Sequence, residues 1–386
     1  MNIFITGATG FLGGEILVYL AKRKEVEKIY CLVRAKTGDD ADRRIRKVFA
    51  LHNDVFDPGR ITAVPGDLVD PNLPEALTKH PGLSQVNIII HAAANTSFSR
   101  IYDLLVEEIN IHGLKKILAW AQTLPDLQLF EYIGTATICG TNITNRLIYE
   151  SESPNLATKH LVKYTQTKLM GELALSDYLP REKLLIARPS IVMGDSREVI
   201  SRSSVILWAL AVSNLVRLVP TYPDVSLDII PVDYAAKAIS DLLFVKRNHN
   251  VYHISSGTAS RTSPRQLGNA ITPYFPGKPD LTFVDPAMIS QMKFWSKGIL
   301  SHDSELNKYK DHLEYWKSSL GDPLALRILF AGWEPYLHFI NLGHVFDNTR
   351  LLQDLAIEPP PPAHIYVKKC IPFLRDIDVF EGALDP

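Results

Sequence analysis

The sequence predicts an α/β fold, a doubly wound parallel sheet carrying a smaller, mainly helical C-terminal lobe. Over residues 1–190 short β-branched runs alternate with longer helical patterns, the order that βαβ units produce. The helical patterns carry one apolar stripe each, so the sheet between them is covered on both faces. After Pro189 the pattern changes to longer helices with few strands.

The strand candidates are residues 2–6, 28–33, 61–65, 86–91, 128–133 and 184–188. Between them, residues 12–23 place Leu12, Ile16, Leu17 and Leu20 on one helix face, and residues 102–123 repeat that pattern. Residues 227–231 and 251–255 read as late strands, so elements from about 227–256 return to the first unit. The expected division is a nucleotide-binding domain over 1–190 and a substrate lobe over 191–386. In that lobe Trp295, Trp316 and Trp333 stand among many Tyr, Phe and Leu, a helical cap whose aromatics suit a packed core or a pocket lining equally. Pro359 to Pro362 form an extended spacer.

With 386 residues, 46% hydrophobic and 22% charged, the chain has ordinary globular values and room for two or three packing units. Forty-one Lys and Arg against 42 Asp and Glu leave a net charge of −1, which argues against a nucleic-acid partner. Cys31, Cys139 and Cys370 are too dispersed for a disulfide framework or a Cys-based metal site, and they suit a reducing compartment. The start has no signal-peptide pattern, and the longest apolar helix candidate, residues 205–219, is interrupted by Ser213, Asn214 and Arg217. A cytoplasmic protein without an integral membrane segment is expected. No H-E-x-x-H helix or G-x-S-x-G turn occurs, and His249 with His253 reads as a surface pair rather than a metal site.

Thr6-Gly7-Ala8-Thr9-Gly10-Phe11-Leu12-Gly13 follows the first strand and opens the first helix, the context a dinucleotide-binding loop requires. Gly7 serves the tight turn, Gly10 lets backbone approach a pyrophosphate, and Gly13 permits close helix packing. The first unit is therefore of Rossmann type. At the end of the second strand an acidic residue would bond a ribose hydroxyl, whereas an Arg accommodates a 2′-phosphate. That residue is Arg34, with Arg43 and Arg44 following, so NADPH is the expected cofactor.

Tyr164-Thr-Gln-Thr-Lys168 sets a phenol and an ammonium four residues apart on one helix face. A nearby Lys⁺ lowers a Tyr pKa from about 10 and makes it a better acid toward a carbonyl receiving hydride. Gly134-Thr135-Ala136-Thr137 ends the fifth strand, where doubly wound sheets place ligands, and the Thr135 hydroxyl can stabilise a developing oxyanion. Thr137 is expected on the same strand face.

These motifs together resemble the extended short-chain dehydrogenase/reductase superfamily. Leu32-Val-Arg34-Ala, Val64-Pro-Gly-Asp67-Leu68, His91-Ala-Ala-Ala94, Arg188-Pro-Ser190 and Leu227-Asp-Ile-Ile-Pro231-Val-Asp233 resemble its thioester reductase and fatty acyl-CoA reductase, or male sterility, branch. The resemblance spans residues 1–260, and Tyr336-Leu-His-Phe and Val345-Phe-Asp347-Asn348 loosely extend it. It implies that Asp67 and Leu68 flank the adenine, that Ala92, Ala93 and Ala94 line the cofactor cleft, and that Pro189, Ser190, Ile191 and Val192 meet the nicotinamide. Asn110 resembles a supporting site position, while Gly134 replaces the small polar residue of relatives.

The implied activity is NADPH-dependent reduction of an acyl thioester, on CoA or a carrier protein, to an aldehyde or onward to an alcohol. Thr135, Tyr164 and Lys168 would be catalytic, without a Cys nucleophile. The alternatives are a nucleotide-sugar epimerase or dehydratase, which Arg34 disfavours, and a non-catalytic NADPH-binding scaffold. A long acyl chain would need an apolar channel, expected from Ile206, Leu207, Trp208, Leu210 and Leu215 or from the stretch 295–339.

Overall fold

A computed structural model describes residues 1–141, 143–197, 204–299, 301–321 and 323–380. The main sheet has seven parallel strands: β1 (Asn2–Thr6), β2 (Lys28–Val33), β3 (Ile61–Pro65), β4 (Ile88–His91), β5 (Leu129–Ile133), β6 (Leu184–Pro189) and β7 (Val251–Ile254). Their spatial order is β7-β6-β5-β4-β1-β2-β3. β1 thus lies between β2 and β4, and the chain winds outward on either side of it, which opens a crevice at the carboxyl ends of β1 and β4.

The helices used below are α1 (Phe11–Ala21), α2 (Gly38–Leu51), α3 (Leu114–Ala121), α4 (Lys163–Ala174), α5 (Ser204–Val216), α6 (Val232–Asp241), α7 (Met288–Trp295), α8 (Lys310–Ser319) and α9 (Pro323–Ile340). Alternate strand residues point to opposite faces. Ile3, Ile5, Ile29, Cys31, Ile88 and Ile90 pack with Ile16 and Leu17 of α1, Ile45 of α2 and Ile239 of α6. Phe4, Tyr30, Ile89, Phe130 and Tyr132 pack on the other face with Leu114, Ile117 and Trp120 of α3. Each buried aliphatic or aromatic side chain contributes roughly 1.5–3 kcal/mol, which is why the β-branched runs settle as central strands.

Several boundaries differ from the expectation. Residues 102–123 are not one continuous helix: a π-type turn over Glu108–Gly113 separates Asp103–Glu107 from α3. The late strand at 227–231 stays out of the main sheet; Ile229–Ile230 pairs only with Ile191–Val192. β7 does join it, beside β6. His253 is no surface residue, because β7 buries it and its Nδ1 lies 3.0 Å from the Asp347 carbonyl. The 359–362 run forms no helix or strand, and Pro362 has φ −57° and ψ 140°.

In the C-terminal lobe Trp316 and Trp333 are fully buried, and Trp295 meets Trp316 edge-on at 5.2 Å. These three belong to the core that α7, α8 and α9 make with α5. Among the described residues no helix is long and apolar enough to cross a membrane.

Two glycines at helix starts give opposite expectations. A Cβ at Gly13 would stand 2.2 Å from the Gly7 carbonyl oxygen, so Gly13→Ala should destabilise by about 1–3 kcal/mol. A Cβ at Gly38 meets nothing within 4 Å, so Gly38→Ala should be neutral or stabilise by up to about 1 kcal/mol. Urea denaturation of both variants checks this, and equal midpoints would show that the loop is not close-packed.

Candidate active site

A cleft of about 420 Å³ opens at the carboxyl ends of β1, β4, β5 and β6. Its walls come from the turn after β1 (Gly7, Gly10, Phe11, Leu12, Gly13), the loop after β4 (Ala92, Ala94, Thr96, Phe98), the end of β5 (Ile133, Gly134, Thr135, Thr137), α4 (Tyr164, Lys168) and the segment Pro189, Ser190, Ile191 and Val192. Phe339 of α9 closes the far side. The glycine motif, the Tyr/Lys pair and Thr135, far apart in sequence, therefore face one space.

The turn is built by close backbone approach. Gly7 has φ 76°, and a Cβ there would fall 2.6 Å from the Ala93 nitrogen. Gly10 is the N-cap of α1, with no side-chain cap and no acidic residue in the first turn. The first-turn N–H groups and the positive helix end are thus left for an anion. Thr9 is half-buried within this turn.

Thr6 departs from the expected direct contact with cofactor. It is fully buried, and its Oγ1 accepts the Ala93 N–H at 3.1 Å and lies 3.0 Å from His91 Nδ1. Burial pushes His91 down to about 3, so the ring is neutral and can accept the Thr6 proton. Thr6 is a latch between β1 and β4. Ala93 is held by that latch, while Ala92 and Ala94 line the cleft.

Arg34 is exposed just past β2, and its guanidinium has no hydrogen-bond or ion-pair partner among the described residues. Arg44, on α2, donates from Nη1 to the Arg34 carbonyl, fixing the backbone of that loop. Arg43 pairs with Asp40 at 2.6 Å on the exposed face of α2. Asp67 and Leu68 follow β3 outside the cleft walls; Asp67 Oδ1 accepts the Val69 N–H, and Leu68 is buried beneath Gly113.

Thr135 Oγ1 lies 2.9 Å from Thr137 Oγ1 and donates to the Pro189 carbonyl at 3.3 Å, and both Thr135 and Tyr164 line the cleft. Thr137 is not on the strand: residues 136–139 turn into a 3₁₀ helix, and that turn folds its hydroxyl back onto Thr135. Burial pushes Tyr164 up to about 12, outweighing the nearby Thr135 hydroxyl, which draws it down. Lys168 is pushed down to about 7 by burial, and its Nζ donates to the Ile133 carbonyl at 2.7 Å and sits 4.9 Å over the Tyr132 ring. The expected lowering of Tyr164 by Lys168 is absent here; desolvation dominates both groups.

Two buried contacts orient α4. Asn110, in the π-type turn, accepts the Asn95 N–H and donates to the Asn95 carbonyl and to Thr167 Oγ1. Arg188 of β6 forms a two-pronged ion pair with Glu172, both side chains being buried. Arg–carboxylate forks fix geometry as well as charge.

Thr96 and Phe98 line the walls with no local motif to mark them; only long-range folding brings them there, whereas Phe339 belongs to the stretch expected to line a channel. Phe98 lies with its ring 6.4 Å from Tyr164, 4.8 Å from Tyr336 and 5.6 Å from Phe339. Behind it lies a second, apolar cavity of about 80 Å³ that shares Phe98, Ile191 and Phe339 with the cleft. Of the expected channel residues only Leu210 and the 295–339 residues Tyr336, Leu337 and Phe339 line it. Trp208 instead packs on Tyr336 and donates its indole N–H to the Val379 carbonyl. Leu207 and Leu215 belong to neighbouring cores, and the Ile206 side chain lies outside the described residues.

The Lys168 environment has a measurable sign. With a folded pKa near 7 and an unfolded value near 10.5, the unfolded chain binds more protons in between. The cost of burying the ammonium is full below about pH 7 and is relieved as pH rises toward 10.5. The stability difference between wild type and Lys168→Met should therefore move in favour of wild type across that window, at up to about 1.4 kcal/mol per pH unit. A pH-independent difference in urea titrations would show that Lys168 is not desolvated.

Residues 5–239 match the family model described as male sterility protein. Fatty acyl-CoA reductase wat of Drosophila melanogaster is 30% identical over 227 residues, 51% of this chain and 44% of that protein. Fatty acyl-CoA reductase 2 of Homo sapiens is 26% identical over 314 residues, 69% of this chain and 60% of that protein. The chain thus spans about half the length of these curated relatives. The terminal R domain from the myxalamid PKS-NRPS biosynthetic pathway shares the fold, with a TM-score of 0.72 at 23% identity over 97% of this chain and 90% of that one. With the family model matching more than half of the chain, and the glycine turn, Thr135, Tyr164 and Lys168 gathered in one cleft, the chain belongs to the male sterility protein family of NAD(P)-binding domains.

Proposed function

We propose that the protein is an NADPH-dependent reductase of acyl thioesters, carried on CoA or on a carrier protein, yielding an aldehyde. The observation that supports this most is one cleft with the glycine turn at one end and the Thr135 and Tyr164 hydroxyls at the other, adjoining an apolar cavity. The residues fit a dinucleotide: Gly7 and Gly13 let the turn after β1 pack directly on the Ala92–Ala93 peptide and on itself, which leaves the first turn of α1 open to the cleft, and its uncapped start suits a pyrophosphate. Arg34, with its free guanidinium, suits a 2′-phosphate. The reductase names of the Drosophila and human relatives support a thioester substrate.

A bound nicotinamide dinucleotide supplies the hydride. The chain's own groups then act on the substrate carbonyl. The oxygen becomes an oxyanion as the carbonyl carbon takes the hydride, and the Thr135 and Tyr164 hydroxyls are placed to donate to it. Tyr164, held near 12, keeps its proton at neutral pH and so can serve as donor rather than as phenolate. Lys168 braces the Ile133 carbonyl at the end of β5, next to the Gly134-Thr135 corner. When the carbonyl re-forms, the thiolate leaves and takes a proton, giving aldehyde and free thiol.

Tyr164→Phe retains the ring beside Phe98 and removes the donor, so turnover should drop by about 10²-fold or more while NADPH binding persists. Stopped-flow reduction together with fluorescence titration of the nucleotide separates the two; undiminished turnover would remove Tyr164 from the mechanism.

Incubating the protein with NADPH or NADH and a panel of acyl-CoAs and acyl carrier proteins, with products separated by chromatography, tests the reaction itself. Aldehyde formation with a preference for NADPH is expected, and Arg34→Asp should invert that preference. Turnover of nucleotide sugars without any thioester reduction would establish the epimerase or dehydratase alternative. NADH used as well as NADPH would overturn the role of Arg34.

A further inference from the structure

The apolar cavity beyond Phe98 and Phe339 is not uniformly apolar. Of its polar wall residues, Ser213 donates to the Ala209 carbonyl and Thr221 to Asn341 Oδ1, so both are satisfied within the protein. Asn214 and Tyr336 are different. Asn214 is 4% exposed and Tyr336 3%, and neither Asn214 Oδ1 nor the Tyr336 hydroxyl has a hydrogen-bond partner among the described residues. Buried polar groups in native proteins are almost always paired, and one left unpaired is costly. Leu or Phe would fill either position in an apolar wall without that cost. Two orphaned groups on one cavity therefore point to a ligand that completes them.

Space narrows the ligand further. An engineered cavity of about 150 Å³ holds benzene, so about 80 Å³ takes less than a six-carbon ring unless the aromatic wall moves. The orphaned Asn214 Oδ1 only accepts, whereas the Tyr336 phenol can donate, and the smallest partner that suits both is a single hydroxyl oxygen. Resting on the thioester reading of the adjoining cleft, we propose that the cavity receives the acyl part of the substrate and that Asn214 and Tyr336 hydrogen-bond an oxygen function on it. The preferred substrate is then a hydroxyacyl thioester rather than an unsubstituted alkyl one. Phe98, stacked on Tyr336 and next to Tyr164, separates the reacting carbonyl from this oxygen. The selection therefore acts away from the carbonyl undergoing reduction.

The test compares a short unsubstituted acyl-CoA with a positional series of hydroxyacyl-CoAs of the same chain length. At least one isomer should be reduced with kcat/KM about tenfold above the parent, the factor that one satisfied hydrogen bond supplies. Asn214→Leu should bring that ratio down toward one. Tyr336→Phe, which keeps the stack on Phe98, provides a second reading that does not depend on Asn214→Leu folding, and the ratio should fall there as well. Preference for the unsubstituted parent over every isomer, or a ratio unmoved by either variant, overturns the proposal and leaves the two groups to bound water. Failure to reduce any thioester while NADPH still binds overturns the underlying thioester reading, so the two failures are distinguishable.

Discussion

The site depends on how closely three backbone segments approach at the head of the sheet. Gly7 lies against the Ala92–Ala93 peptide, and Gly13 lies against the Gly7 carbonyl, both at distances that leave no room for a Cβ. Thr6 and His91 lock this approach from below through buried hydrogen bonds. Because α1 is drawn so tightly onto β1 and β4, its uncapped first turn faces the crevice rather than solvent at large. Every other wall of the cleft is positioned relative to that corner, since β5 and β6 follow β4 outward in the sheet.

Electrostatics at the opposite wall follow from burial rather than from pairing. Tyr164 is pushed up and Lys168 down, so in the protein alone the phenol is protonated and the amine sits near its midpoint at neutral pH. Among the described residues no carboxylate pairs with Lys168; its partners are the neutral Ile133 carbonyl and the Tyr132 ring. A polar ligand placed beside these groups would relieve part of the desolvation, which couples ligand binding to the protonation of Lys168. The buried Arg188–Glu172 fork keeps α4 registered on β6 and so holds both groups toward the cleft whichever state Lys168 adopts.

What could be read from the sequence was what local pattern encodes. β1, β2 and β3 fall at the residues that their apolar runs mark, and Gly7, Gly10 and Gly13 take the turn that their spacing describes. Tyr164 and Lys168 share one cleft with Thr135, at the carboxyl ends of the strands, where doubly wound sheets open their crevice. Residues whose surroundings depend on distant partners were less legible. Thr6, read as a cofactor contact, is buried and bonded to His91 and Ala93, which lie far off in sequence. The π-type turn at Asn110 left the apolar stripe of 102–123 intact, so periodicity could not show it. Asn214 did carry a signal, a polar residue within an apolar helix, but one that only mattered for excluding a membrane span until the cavity placed it.

The C-terminal lobe owes its position to buried polar bonds that cross between the two halves of the chain. The Asp228 carboxylate accepts N–H bonds from Ser256 and from Phe346, and Glu150 accepts from His253 and Arg350. Asn348 donates to the Ser255 carbonyl, next to the left-handed Gly257 that its side chain crowds. Val345–Phe346 also pairs with Leu147–Ile148, ahead of α4. The segment following α9 is thereby tied both to the end of β7 and to the chain after β5, which carries Thr135. Each bond is modest alone, but breaking one would leave a buried charge or amide unpaired, so they act together as a rigid strap. That constraint bears directly on the cleft: the end of α9 brings Tyr336 and Phe339 against Phe98, which packs beside Tyr164, so the aromatic wall between cleft and apolar cavity is set by the strap that follows α9.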